Sequence, residues 1–372
     1  MKSKNWIGLA LILGLAACSS EFEPVEQPLT PTSGQGVDFM VVGEDLDKVY
    51  QFTYSATVGN GSSIDLTEEL NVPSDYLTLR QKDDVLSFYS FEDGFFSLSL
   101  KNVNTGQTTL YEDFYLNTLE RSIAWGINDE DAVFFGYFGP NGARNLALQD
   151  FELQGSESTD FTIDFNITAT FTPLLFDGKV YISFTDSMGN YKLTFYDTEV
   201  MAVGPILDFN TTPISFFITD AGELAVVKNQ LDTSLDTYGA DDLLFINSVP
   251  MDINLGFSPG AVNDVILAGD VLYFNVDYPQ PSRFSEGPAV YNLSTKEINI
   301  LDMFSIVEEV EQEVGANLTI TTQVYDPLSN VFLIGYAILD NEAQGGVIQA
   351  SVNGDLLADV PLSFFPTYFV RN

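Results

Sequence analysis

The sequence predicts an all-β fold, and three features carry that prediction. From Val37 onward, short runs rich in Phe, Tyr, Val, Ile and Thr alternate with Gly, Asn, Asp and Pro turns, the pattern of short strands joined by tight turns. Helical periodicity is nearly absent over the same stretch. The body also repeats. A turn residue followed by an apolar or aromatic run recurs at Asp47, Asp93, Asp131, Gly178, Gly222, Asp270 and Ser329, at intervals of 38 to 59 residues. Interleaved with it, an apolar–acidic segment recurs at Ile64, Leu110, Leu148, Ile206, Met251, Ile300 and Leu357. A unit of this size, with three or four strands, is that of a β-propeller blade, because a small twisted sheet has two faces to cover and stacking sheets around an axis covers both. The expectation is a β-propeller of about seven blades over residues 37–372, with six or eight the alternatives if one rung is miscounted. A pair of β-sandwiches is the rival, but no Pro/Ser-rich break divides this stretch.

The elements follow in chain order. Lys2 and Lys4 precede an uncharged apolar stretch, Trp6 to Ala17, which leads into Leu15-Ala16-Ala17-Cys18. About a dozen apolar residues are too few to span roughly 30 Å of hydrocarbon as a helix but suit an export signal. Residues 1–18 resemble the signal and lipobox of bacterial lipoproteins. The resemblance implies that Cys18 is acylated and becomes the new N-terminus, and two or three acyl chains make a stable membrane anchor. Ser19 at the next position implies sorting to the outer membrane. The acidic run Ser19-Ser20-Glu21-Phe22-Glu23 is similar to the export signal of Bacteroidota surface lipoproteins, which implies an anchored protein facing the cell exterior. Residues 19–36, with Pro24, Pro28, Pro31, Gly34 and Gly36, read as an extended tether.

Within the body, Ala132–Phe138 and Val331–Leu339 are continuously apolar, and Val85–Phe91 more loosely so, as strands covered on both faces should be. Asp38–Val42 and Thr367–Val370 are candidates to share one blade and close the ring. Ser305 followed by Glu308 forms a capping box. With Ile306, Val310 and Val314 on one face and Gly315 to end it, the pattern predicts one short inserted helix over 306–314.

Composition narrows the function. The chain carries 14 Lys and Arg against 53 Asp and Glu, a formal charge of −39, so nucleic acid is not an expected partner. It contains no His, which excludes His-based catalytic triads and His-ligated metals. The single Cys is Cys18, so the body contains neither a disulfide nor a thiolate nucleophile. The acidic runs at Glu44–Asp47, Asn128–Asp131 and Asp241-Asp242 read first as solvated turns. Ca²⁺ is the one cofactor they could hold, although none has the calcium-loop pattern.

In a propeller, loops from second to third strands and loops between blades crowd one mouth of the central channel. If the first ladder marks second strands, the longest such loops run from Lys228 to Asp242 and from Asp277 to Pro288. The mature chain has five Arg, and Arg121, Arg144 and Arg283 map to this side. With Tyr278 and Phe284 they form a candidate ligand-binding set for an anionic group; the competing reading pairs each Arg with a nearby carboxylate. Trp125 reads as core or as a stacking surface.

At the level of signal, tether and repeat, the chain resembles surface lipoproteins that work beside TonB-dependent outer-membrane transporters. That resemblance implies capture of a ligand such as a glycan or siderophore. A structural, adhesion or envelope-complex scaffold is the alternative reading, and a carbohydrate-active enzyme the second alternative. No catalytic residue is singled out, because no motif distinguishes one carboxylate pair among so many.

Overall fold

The structure, a computed structural model, describes residues 36–139, 144–155, 157–230, 233–339 and 343–371. The leader, Cys18, the tether up to residue 35 and the turn at Pro140 to Gly142 lie outside the described residues. The strands form seven sheets, the blades of a seven-bladed β-propeller. Blade 2 shows the plan: four consecutive antiparallel strands, Thr78–Lys82, Val85–Glu92, Phe95–Asn102 and Thr108–Leu116. Blades 3, 6 and 7 repeat it from Ser122 to Asp164, from Ile266 to Ile300 and from Leu318 to Leu362. Blade 4 has its first and fourth strands broken in two. In blade 5 the short strand Gly260–Ala261 adds in parallel to the first strand, Ile214–Ile218.

Blade 1 closes the ring as the sequence predicts. Its second, third and fourth strands are Phe39–Glu44, Val49–Ser55 and Asn60–Asp65, and its first is the C-terminal Phe365–Val370. Met40 pairs with Val370, Val41 with Phe369 and Val42 with Tyr368.

The core explains why the ring holds. Seven clusters of buried apolar side chains fill the seven gaps between neighbouring blades. Side chains of one strand alternate between the two faces, so successive residues serve successive gaps. Phe88 packs against blade 1 and Tyr89 against blade 3. Val133 and Phe135 pack against blade 2, while Phe134 packs against blade 4. Each fully buried Phe contributes roughly 2–3 kcal/mol, and neither face of a blade can be left to water. This is why the second strands read as unbroken apolar runs.

The two ladders need one adjustment. Five rungs of the first, from Asp131 onward, open second strands, but those at Asp47 and Asp93 open third strands. The short 38-residue step from Asp93 to Asp131 marks the change of register. The segment from Lys228 to Asp242 is likewise not one loop. Ser234–Tyr238 within it pairs on both sides as the third strand of blade 5.

The helix between blades 6 and 7, here α2, runs Met303–Val314, one turn longer than predicted at its start. The cap is Asp302, whose carboxylate accepts the Phe304 and Ser305 N–H groups, and not Ser305. Gly315 ends the helix at φ 76°. A short helix that the sequence reading lacked, α1 (Leu66–Leu70), links blades 1 and 2 behind an Asp65 cap. The second ladder thus has a structural purpose. Asp65 and Asp302 cap helices, and Asp150 and Asp359 accept hydrogen bonds from the Tyr196 and Tyr336 hydroxyls.

Candidate functional site

First strands from several blades surround a central channel, and two chambers occupy it. One, of about 470 Å³, opens at the Asp83-Asp84 turn and is lined by Arg80, Gln81, Lys82, Asn128, Tyr368 and Arg371 among others. The other, of about 580 Å³, lies toward the mouth where second-to-third-strand loops and blade connections converge. Its wall holds Tyr89, Phe91, Phe96, Trp125, Phe135 and Phe171, with Thr78, Arg80, Asn117 and Thr170 as polar members. Arg80 belongs to both linings, so it stands where the chambers meet.

The aromatic wall is built rigidly. Phe96 packs on Phe91 and on Phe135, with ring centres 4.8 and 5.6 Å apart. Trp125 is 7% exposed and donates its indole N–H to Thr170 Oγ1 at 3.1 Å. Its ring lies on Gly136, where a Cβ would sit 2.1 Å from the indole; only glycine allows that approach. Trp125 is therefore core and chamber wall at once. The Tyr89 hydroxyl donates to Asn128 Oδ1 at 2.6 Å, and burial pushes its pKa well above the usual phenol value.

Charge is distributed unevenly. Among the described residues no Asp or Glu lines the aromatic chamber, and Arg80 is its one charged side chain, in a chain with 53 acidic residues. Most described cations are neutralised: Lys48, Lys101, Arg121, Lys179, Lys192, Lys228, Arg283 and Arg371 all form ion pairs. Arg80 and Lys82 form none with the described residues. They lie two apart on one innermost strand, so both side chains point to the same side of the sheet. The Arg80 Nε is buried without a hydrogen-bond partner among the described residues, and so is Asn117 Oδ1 in the same wall. Burial holds the Arg80 guanidinium below its ordinary pKa, with the neighbouring Tyr89 and Tyr368 hydroxyls opposing the shift.

The residues singled out from sequence lie on the expected side but do not converge. Arg121, on the connection between blades 2 and 3, pairs with Asp160 at 2.8 Å and lies over the Tyr137 ring. Arg283, on the second-to-third-strand loop of blade 6, forms a bidentate pair with Glu311 of α2 and reaches the Leu318 carbonyl. Phe284 is 5% exposed, packed in the gap between blades 6 and 7 and edge-on to Phe304. The Tyr278 hydroxyl donates to the Leu301 carbonyl at 2.8 Å. These three fasten α2 to the ring. Arg144 is exposed, and its carbonyl accepts the Ile167 N–H.

Arg80 is not among the loop candidates because it lies on the innermost strand of blade 2, Thr78–Lys82. Its signal was a strand in which Thr78, Arg80 and Lys82 alternate with Leu79 and Gln81. The acidic runs are engaged in their own turns: Asp45 accepts the Asp47 and Lys48 N–H groups, and Asp129 those of Asp131 and Ala132. Among the described residues, no group of three or more His, Cys, Asp or Glu side chains is placed to hold a metal ion.

No protein-family model matches the chain, and no curated protein matches it. Similar solved structures include a putative 6-phosphogluconolactonase from Bacteroides uniformis, at 15% identity and TM-score 0.49, covering 90% of this chain and 100% of that one. TolB from Acinetobacter baumannii matches at 10% identity and TM-score 0.39, covering 88% and 80%. A prolyl endopeptidase structure matches at 13% identity and TM-score 0.48 over 81% of this chain, which spans 44% of that protein's length.

Proposed function

We propose that this chain is a lipid-anchored surface protein of an outer membrane, held through Cys18 and a short tether, that binds a small ligand in the aromatic chamber of its central channel. The observation that carries this reading is the chamber itself. It is concave and lined by six aromatic side chains and a few polar groups, the composition of small-molecule sites in general. The lipobox-like segment ending at Cys18 supports the membrane address, and delivery of the captured ligand to a TonB-dependent transporter fits such a placement.

Two experiments test it. Thermal shift and Trp125 fluorescence of the lipidated protein are followed across a panel of glycans and siderophores, and a saturable rise in melting temperature is expected for at least one class. Cys18→Ala should move the protein from the membrane to the soluble fraction. A flat panel, together with co-purification of an adhesion or envelope complex from native membranes, would overturn the ligand-binding reading. One feature favours that scaffold alternative: Leu244, Phe245 and Ile246, at the outermost strand of blade 5, are 66%, 59% and 51% exposed.

A further inference from the structure

The chamber's chemistry narrows its ligand. A chain with a large excess of carboxylates has none of the described ones in this wall and places one guanidinium there, with no carboxylate paired to it among the described residues. Unpaired buried charge is costly, and an unmade hydrogen bond on a buried donor costs about 1–3 kcal/mol. Arg80 Nε is such a donor, and the side-chain amide of Asn117 holds a buried acceptor with no partner among the described residues. Both residues belong to the lining of a cavity of about 580 Å³, whose wall includes six aromatic side chains. The other cations near the channel do not supply the same chance: Arg371 is tied to Asp264 and the Asn263 carbonyl, and Lys82 opens toward the Asp83-Asp84 rim of the other chamber.

We infer that the aromatic chamber is built for a small aromatic carboxylate, its ring packed against Phe96, Trp125 and Phe135, its anionic head on Arg80, and a donor group of the ligand meeting Asn117. The assignment rests on the ligand-binding reading above and deepens it. The carboxylate oxygens would complete the guanidinium with charge-assisted hydrogen bonds, in a wall where no acid among the described residues competes. Because the whole molecule is strongly negative, long-range attraction does not recruit such a ligand; the discrimination is local, at Arg80.

The test uses the full lipidated chain in detergent, with calorimetry on three probes of one shape: 2-naphthoate, 2-naphthalenemethanol and 2-naphthylmethylammonium. A charge-assisted contact of about 1.5–3 kcal/mol corresponds to roughly 10–100-fold in affinity, so naphthoate should bind at least about tenfold more tightly than the neutral alcohol, and the ammonium most weakly. Arg80→Met should erase the preference for naphthoate while leaving the alcohol's affinity within about twofold. Arg80→Lys, which keeps the charge but not the fork, should retain part of it. Equal affinity of the wild-type chain for naphthoate and the alcohol overturns the anion assignment and leaves the chamber as a neutral-ligand site. No binding of any of the three overturns the assignment as well; the panel experiment above then separately decides whether the chamber binds anything.

Discussion

Replacing Asp359 by Asn should abolish a pH dependence of stability that the wild-type chain carries between about pH 4 and pH 7. Asp359 sits on the fourth strand of blade 7 and is 3% exposed. One carboxylate oxygen accepts the Tyr336 hydroxyl at 3.2 Å, while the other has no partner among the described residues. Burial pushes its pKa from 3.8 up to about 7, with the Tyr336 hydrogen bond opposing and the charge of Glu313 adding to the rise. Between these values the folded chain holds a proton that the unfolded chain has released, so stability falls as pH rises through the window and the full penalty is present above it. At about 1.4 kcal/mol per pKa unit, the span amounts to on the order of 2–4 kcal/mol, allowing for relaxation around the ionised group. Asn keeps an acceptor for Tyr336 but sets an amide against the unpartnered position, a cost of about 1 kcal/mol that is independent of pH. Urea unfolding at pH 4.5, 6, 7.5 and 8.5 should therefore show the variant less stable at the acid end and more stable at the alkaline end. The window is clean because the chain contains no His. Glu44, Asp150 and Glu286, also raised by burial, are common to both proteins and cancel in the difference. Parallel curves for the two proteins would refute the reasoning.

Three further outcomes follow from the packing. Lys101 is 2% exposed, with its ammonium 2.5 Å from Glu69 of α1; Glu69→Ala should cost on the order of 3 kcal/mol by stranding that charge, and adding Lys101→Met should recover most of the loss in chemical denaturation. Asp302→Ala should cost about 1 kcal/mol and Ser305→Ala clearly less, since Asp302 is the cap of α2; equal losses would return the cap to Ser305. Gly136→Ala should cost about 1–3 kcal/mol by driving a methyl into the Trp125 ring, with a red-shifted Trp125 emission; an unchanged melting curve and spectrum would mean the ring has room to move.

What could be read from the sequence divides along physical lines. Blade number, the apolar second strands, ring closure through Thr367–Val370 and the helix ending at Gly315 were legible because burial on two faces and glycine capping leave local patterns. The register of the first two rungs was not, because Asp47 and Asp93 begin strands as apolar as the second strands of later blades; only the short interval before Asp131 betrays the change. The site divided the same way. Arg121, Arg144, Arg283 and Tyr278 stand on the second-to-third-strand loops and blade connections, as loop position follows from strand order. That Arg283 spends its charge on Glu311, and that Arg80 and Asn117 line one cavity, depends on how separate blades meet, and no window of sequence contains that. Composition gives the excess of carboxylates but not the one wall that, among the described residues, they leave free.

The strand Phe39–Glu44 is hydrogen-bonded on both edges, to Val49–Ser55 and to Phe365–Val370, although it is the first strand among the described residues. A pull arriving through the residues before it is thus borne along the strand by two ladders at once, which must slide together before either gives way, instead of one edge unzipping a bond at a time. The pairing with the C-terminal strand joins residues as far apart in the chain as Val42 and Tyr368, so mechanical load on the N-terminal side is handed directly to the last strand and from there to blade 7. If Cys18 anchors the molecule as proposed, drag on the ring loads this doubly paired strand.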